Sequence, residues 1–283
     1  MSFIDSEINM GELIANLRIR FGKDFTSFRS SCLKRRFALR MSSLGLSTLD
    51  EYMDYLSVHP AEIEQLLDTV TIHVTEFFRD HEVYDALAKE ILPAMAERKI
   101  YSPARTIRVW SAGCSTGEET YSIAILILQY LRTNDIRLDL EVYGTDISKE
   151  SCRIARKGVY LERKIARVPA NLRQNYFEPD ESGLKVSGDV RRFVKFQVHD
   201  LFSAPPFSLL DILVCRNVLI HFDSGVRNDV LARFHAALGE DGILILGKSE
   251  AMMGSALRLF ELMDPRNKMY RKHILRDSEG GSR

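Results

Sequence analysis

From residue 8 to residue 100 the apolar positions recur at three- and four-residue spacing, the period of helices buried along one stripe. "NMGELIANLRIRFG" predicts a helix ending near Gly22, and "FTSFRSSCLKRRFALRMSSLG" another stopping at Gly45. "STLDEYMDYLSVH" opens with Ser47 and places Glu51 just inside, as a capped helix start does. "HPAEIEQLLDTVTI" and "DHEVYDALAKEILPAMAER" continue the pattern, and no strand is expected before Ile107.

Beyond that point the rhythm changes. "TIRVWSA", "LDLEVYGTD", "VKFQVHDL", "SLLDILVCRN", "DGILILGKS" and "NKMYRKH" read as strands. Helical patterns in "GEETYSIAILILQYLRT", "SKESCRIARKGVY" and "SGVRNDVLARFHAALG" fall between them, which predicts an α/β parallel sheet covered on both faces. The last two strands leave little room for a crossover helix, so the sheet should end in an antiparallel strand. "QNYFEPDESGLKVSGDVRRFVKF" breaks the alternation with two turn signals, Ser182-Gly183 and Ser187-Gly188-Asp189, and predicts a small antiparallel insertion.

A chain of 283 residues suits one large domain plus a small one. Lys+Arg and Asp+Glu both number 39, so the global charge points to no nucleic-acid or membrane partner. The distribution is uneven: between Arg18 and Arg40 basic residues face one acid, Asp24. No signal pattern or apolar run of transmembrane length appears. The four cysteines, Cys32, Cys114, Cys152 and Cys215, form no C-x-x-C pair, which argues against a zinc site or disulfide framework and for a reducing cytoplasm.

Ligands of open α/β sheets sit beyond the carboxyl ends of the strands, where "SAGCSTGEE" lies. Ser111, Ala112 and Gly113 are small enough for a ligand to approach the backbone. No Lys follows Gly117, so a triphosphate cradle is poorly supported. Glu118 and Glu119 open the next helix instead; they complement the helix dipole, or they hold a cationic ligand. Asp146, at the tip of the second strand, can accept hydrogen bonds from two ribose hydroxyls or cap the helix near Ser148. A cationic nucleoside without pyrophosphate satisfies both places, and S-adenosylmethionine is such a molecule.

"VTEFFRD", "VWSAGCSTGEETYSIA", "GTDIS", "HDLF", "CRNVLIHF" and "NKMYRK" occur in the order and spacing of the CheR family, the bacterial chemotaxis receptor methyltransferases, which the chain resembles over nearly its whole length. The resemblance implies an all-α N-terminal domain over 1–75, a linker and helix over 76–100, and a Rossmann-like class I methyltransferase domain over 101–283 with an inserted β-subdomain at 174–195. It implies S-adenosylmethionine as methyl donor, no metal, and methyl-ester formation on glutamates of chemoreceptor cytoplasmic helices. Thr75 and Arg79 match family residues that reach the cofactor from the linker side. Ala112 and Gly113 lie in the matching turn, Glu119 and Asp146 match the acids at the methionine and ribose ends, Asp200 and Leu201 the adenine-side pair, and Arg216 with Asn217 the "RN" contact.

Two positions depart from the family pattern. His73 stands where Asn is usual, and His221 where Tyr is usual; each is a site residue that can still hydrogen-bond, or a structural histidine. Arg79 and His221 are the catalytic candidates. Arg29, Lys34, Arg35, Arg36 and Arg40 alone fit a solvated face, nucleic acid or an acidic partner; the resemblance favours docking to a Glu-rich helical bundle, without nucleic acid, membrane insertion or oligomerisation. The insertion looks shorter than in family members that tether to a receptor pentapeptide, so weak or no peptide binding is expected. The alternatives are a methyltransferase of the same type acting on a non-receptor target, and a non-catalytic S-adenosylmethionine sensor.

Overall fold

The computed structural model describes residues 10–21, 25–70 and 75–274. The chain forms two compact units, Met1–His73 with Ile220–Arg227, and Val74–Leu219 with Asn228–Arg283.

The first unit carries α1 (Met10–Phe21), α2 (Ser30–Ser43), α3 (Leu49–Val58) and α4 (Glu62–Val70). The periodic apolar positions converge: Leu13, Leu17, Leu33, Phe37, Tyr52, Leu56 and Leu66 are buried. Phe37 meets Phe25 and Tyr52 edge-on. The cap of α3 is Thr48 rather than Ser47, because Thr48 is the last residue with extended backbone. Its Oγ1 accepts from Glu51 N at 3.3 Å, while the Glu51 carboxylate accepts from Thr48 N at 3.0 Å and from Ser47 N at 2.8 Å.

The second unit begins with α5 (His81–Ala86), a π-helical turn Leu87–Ile91, and α6 (Leu92–Ile100). Pro93, which lacks an N–H, lies just after the π turn, where the register slip removes the need for its donor. There follow β1 (Thr106–Ala112), α7 (Glu118–Thr133), β2 (Asp139–Asp146), α8 (Lys149–Lys157), β3 (Val159–Tyr160), α9 (Glu162–Ile165) and α10 (Ala170–Tyr176). Next come β4 (Phe177–Asp180), β5 (Gly183–Val186), α11 (Gly188–Arg191), β6 (Val194–Val198) and β7 (Leu210–Cys215). The chain closes with α12 (Ser224–Ala237), β8 (Leu238–Leu246), β9 (Phe260–Asp264) and β10 (Met269–Lys272).

Among the described residues the main sheet has the order β6-β2-β1-β7-β8-β10-β9. β6, β2, β1, β7 and β8 run parallel, and β10 is antiparallel to both β8 and β9. The expected antiparallel end is present, but it holds two strands. β9, with exposed Leu262 and half-polar composition, lacks the apolar run that marks a strand in sequence. β7 is buried at every position, as befits a central parallel strand covered on both faces. The insertion forms a separate sheet ordered β3-β5-β4. It starts earlier than residue 174, because Val159 and Tyr160 add a strand to it.

The strand order reverses between β1 and β7, so a crevice opens at their carboxyl ends. In the helical unit, Arg40 forks onto the buried carboxylate of Glu62, which also accepts from the Tyr52 hydroxyl at 3.1 Å. Replacing Glu62 by Gln keeps the shape but removes the anion, and is expected to cost about 1.5–3 kcal/mol. A lower urea midpoint with an unchanged slope is the check.

Candidate active site

β1 runs straight into the turn 113–117. Gly113 N and Cys114 N both donate to Thr145 O at 2.8 Å, which ties the turn to the end of β2. Gly113 adopts φ +76, and a Cβ there would lie 2.5 Å from Val218. The left-handed backbone and the neighbouring Val218 side chain thus both favour glycine at this position. Gly117, at φ +95, precedes α7 and puts both glutamates in the first turn.

The two acids have different partners. Glu118 is fully buried; it accepts from Thr116 Oγ1 at 2.6 Å and lies 3.3 Å from Lys164 Nζ. Lys164 also donates to Thr75 O at 2.9 Å. Glu119 accepts from Ser111 Oγ at 2.9 Å and faces Arg216 Nη1 at 3.5 Å. Burial pushes the Glu119 carboxyl above its ordinary range, against the pull of Arg216 and Ser111.

Arg216 is the hub of the strand tips. Its side chain is 2% exposed; it bonds the Asp80 carboxylate and donates to Arg79 O at 3.1 Å. Its Nε has no hydrogen-bond partner among the described residues. Asn217 follows at φ +62, and its N–H donates to Glu250 at 3.0 Å. The Arg79 side chain thus belongs to a segment whose backbone is held by Arg216.

Asp146 accepts from Ser115 N at 2.8 Å and Ser148 N at 2.9 Å, one at each oxygen. The helix cap itself is Ser148, whose Oγ accepts from Ser151 N at 3.0 Å. A carboxylate has about four lone-pair sites, two of which these backbone donors occupy. His199 N donates to Asp146 O at 3.0 Å, which sets the Asp200–Leu201 turn beside the β2 tip. There Asp200 Oδ1 accepts from Phe202 N at 2.9 Å, and Leu201 is buried.

Thr75, Arg79, Ala112, Gly113, Glu119, Asp146, Asp200, Leu201, Arg216 and Asn217 are thus all in the sheet unit, and the bonds above link most of them around the strand tips. His73 lies outside the described residues. His221 belongs to the stretch counted with the helical unit, where its Nδ1 is 3.8 Å from Cys32 Sγ. Burial first, then Arg36 and Arg29, hold it below the ordinary histidine pKa, so it is a neutral imidazole at neutral pH.

The basic residues of α2 differ in availability. Arg35 is exposed on the outer face, and Arg29 is exposed although its Nε donates to Phe222 O at 3.3 Å. Lys34 and Arg36 are half-buried, and Arg40 is engaged by Glu62. Reasoning from residue types missed Asp80, Lys164 and Glu250. Asp80 closes the block "VTEFFRD" and Glu250 sits just past "DGILILGKS", yet nothing in either string reveals the distant partner.

Two carboxylates, a buried guanidinium and no lysine after Gly117 suit a cationic ligand bearing vicinal hydroxyls better than a polyphosphate. Among the described residues no group of three or more His, Cys, Asp or Glu could hold a metal, and no helix is long and apolar enough to cross a membrane.

This sheet with its antiparallel end is the S-adenosylmethionine-dependent methyltransferase fold. The chain belongs to the CheR methyltransferase family: residues 73–269 match its SAM binding domain and residues 9–71 its all-alpha domain. The chain is 31% identical over 251 residues to a chemotaxis protein methyltransferase of Borreliella burgdorferi, covering 87% of this chain and 89% of that one. Chemotaxis protein methyltransferase Cher2 of Pseudomonas putida is 33% identical over 76% of this chain and 79% of its own. A chemotaxis protein methyltransferase of Listeria innocua is 28% identical over 83% and 87%.

Because the raised Glu119 pKa is above the unfolded value, its stabilising contribution is present at low pH and is lost as pH rises through the raised value. Glu119→Gln is expected to flatten that loss in thermal melts across pH. It should also weaken S-adenosylhomocysteine binding about tenfold or more, as measured by calorimetry.

Proposed function

We propose that the protein transfers the methyl group of S-adenosylmethionine to glutamate carboxylates on the cytoplasmic helices of chemoreceptors, a protein-glutamate O-methyltransferase of chemotactic adaptation. The observation that carries the reading is the half-buried Glu119, tied to Ser111 and Arg216 at the tips of β1 and β7, with Asp146 across the turn. The family membership and the relatives' names support the chemotactic setting.

Glu119 is suited to the cationic amino end of the donor and Asp146 to its ribose, with the Asp200–Leu201 turn on the adenine side and Thr75 contributing from the linker. When bound, the donor supplies a methyl carbon activated by an adjacent sulfonium. A glutamate acceptor has a pKa near 4.3 and is ionised at neutral pH, so no general base is required. This explains why the strand tips carry no Ser-His-Asp or Cys-His arrangement. The protein's work is alignment and exclusion of water, and alignment alone is worth up to about 7–11 kcal/mol in favourable cases.

Arg79 is the orienting residue of this reading: its backbone is fixed by Arg216, and its guanidinium can fork onto a carboxylate. Too tight a grip on the acceptor oxygen would lower its nucleophilicity, so Arg79 positions rather than activates. Arg35 and Arg29, exposed on and beside α2, with Lys34 and Arg36, attract an acidic helical partner. The neutral His221 stands where the family carries a phenol and can hydrogen-bond but not supply charge.

Tethering through a receptor pentapeptide is absent or weak in this reading. The β4–β5 hairpin turns through only Glu181 and Ser182, and the β4 edge strand contains Pro179, which removes a ladder donor.

The deciding experiment is transfer of labelled methyl from S-adenosylmethionine to receptor-containing membranes, with the label released by base as methanol. Arg79→Ala is expected to lower this rate by roughly 100-fold, in line with loss of an orienting group, while the far-ultraviolet spectrum stays unchanged. Wild-type transfer should fall as salt is raised, since the docking charges are solvent-exposed. Calorimetry with a receptor C-terminal pentapeptide should give no heat of binding in the micromolar range.

A further inference from the structure

Glu250 is a buried acid, 3% exposed, that no catalytic step uses. One oxygen accepts from Val218 N at 2.9 Å and Leu219 N at 2.7 Å; the other accepts from Asn217 N at 3.0 Å and Gly247 N at 2.6 Å. Four backbone donors thus converge on one carboxylate that lies beyond the end of β8. Three of them come from the loop that follows β7, where Asn217 holds the left-handed φ of +62. Asparagine tolerates that region better than most side chains, and the cage holds it there.

The consequences of this grip reach the strand tips by two routes. Val218 is the residue against which Gly113 is packed, so its position limits the turn between β1 and α7. Arg216, the residue before the held stretch, carries Glu119, Asp80 and the Arg79 carbonyl. Gly247 completes the cage: a Cβ there would lie 2.8 Å from Asn217 N and 2.8 Å from the Glu250 carboxylate. A neutral side chain at position 250 would leave donors of this cage without an acceptor.

We propose that Glu250 is a positioning residue for donor binding. Its carboxylate acts as a fixed anion that locks the 217–219 backbone, and through Val218 and Arg216 it sets the distance between the Gly113 turn and Glu119. The proposal rests on the reading of the strand tips as the S-adenosylmethionine site.

The test uses Glu250→Gln in the full chain, with S-adenosylhomocysteine as probe and hydrogen exchange as an independent readout. The expected result is loss of amide protection at Asn217, Val218 and Leu219, retained protection in β1, and binding at least tenfold weaker than wild type. Unchanged affinity, or weakened affinity with the loop amides still protected, overturns the role of Glu250 alone. Failure of the wild-type protein to bind the probe overturns the site reading and this proposal together. Should Glu250→Gln not fold, Gly247→Ala decides the matter, because its added methyl presses on the same cage from the other side. It is expected to give the same paired loss, and wild-type affinity in that variant overturns the proposal.

Discussion

The site depends on one buried cation. Arg216 sits at the end of β7 with almost no solvent contact, bonded to Asp80 and to Arg79 O and facing Glu119. A guanidinium cannot shed its proton, so burial must be offset by anions placed around it. Each anion in turn is fixed by the arginine. Segments at 79–80, 119 and 216, remote in the chain, are thereby held at one place, and removing the cation would take the main counter-charge from two partly buried carboxylates.

This arrangement bears on the chemistry in a specific way. Burial raises the Glu119 carboxyl above its ordinary range, and Arg216 draws it back. In the proposed reading, the cationic end of the donor meets this acid. Asp146 is different: two backbone N–H groups hold its carboxylate in place. One acid is set up to respond to a charge, the other to offer a rigid acceptor. The proposed transfer, from a sulfonium donor to an already ionised glutamate, asks for little more than such a scaffold and the exclusion of water.

The insertion and the linker are joined to the same scaffold. Tyr160 donates to Thr116 O at 2.7 Å, Lys164 reaches Thr75 O and Glu118, and Phe77 packs edge-on against Tyr160 and Phe177. The small sheet β3-β5-β4 therefore braces both the turn after β1 and the segment leading to Arg79.

The apolar periods along the chain determined the helix-rich N-terminal part, the alternating strands and helices, and the antiparallel end. Those periods report burial on one face or two, which is a local property. The same is true of the turn at 113–117 and the acids at 119 and 146, which sit at strand ends that the pattern marks. β9 escaped because an edge strand with polar and exposed positions has no such signature. The partners of each acid were decided by the tertiary structure alone. Nothing near Glu250 in the chain announces that four backbone donors will meet it, and nothing near Arg40 announces Glu62. Hydrogen bonds and ion pairs act over a few ångströms between segments that only the crossing of strands and helices brings together, so the sequence names the groups and the fold chooses their neighbours.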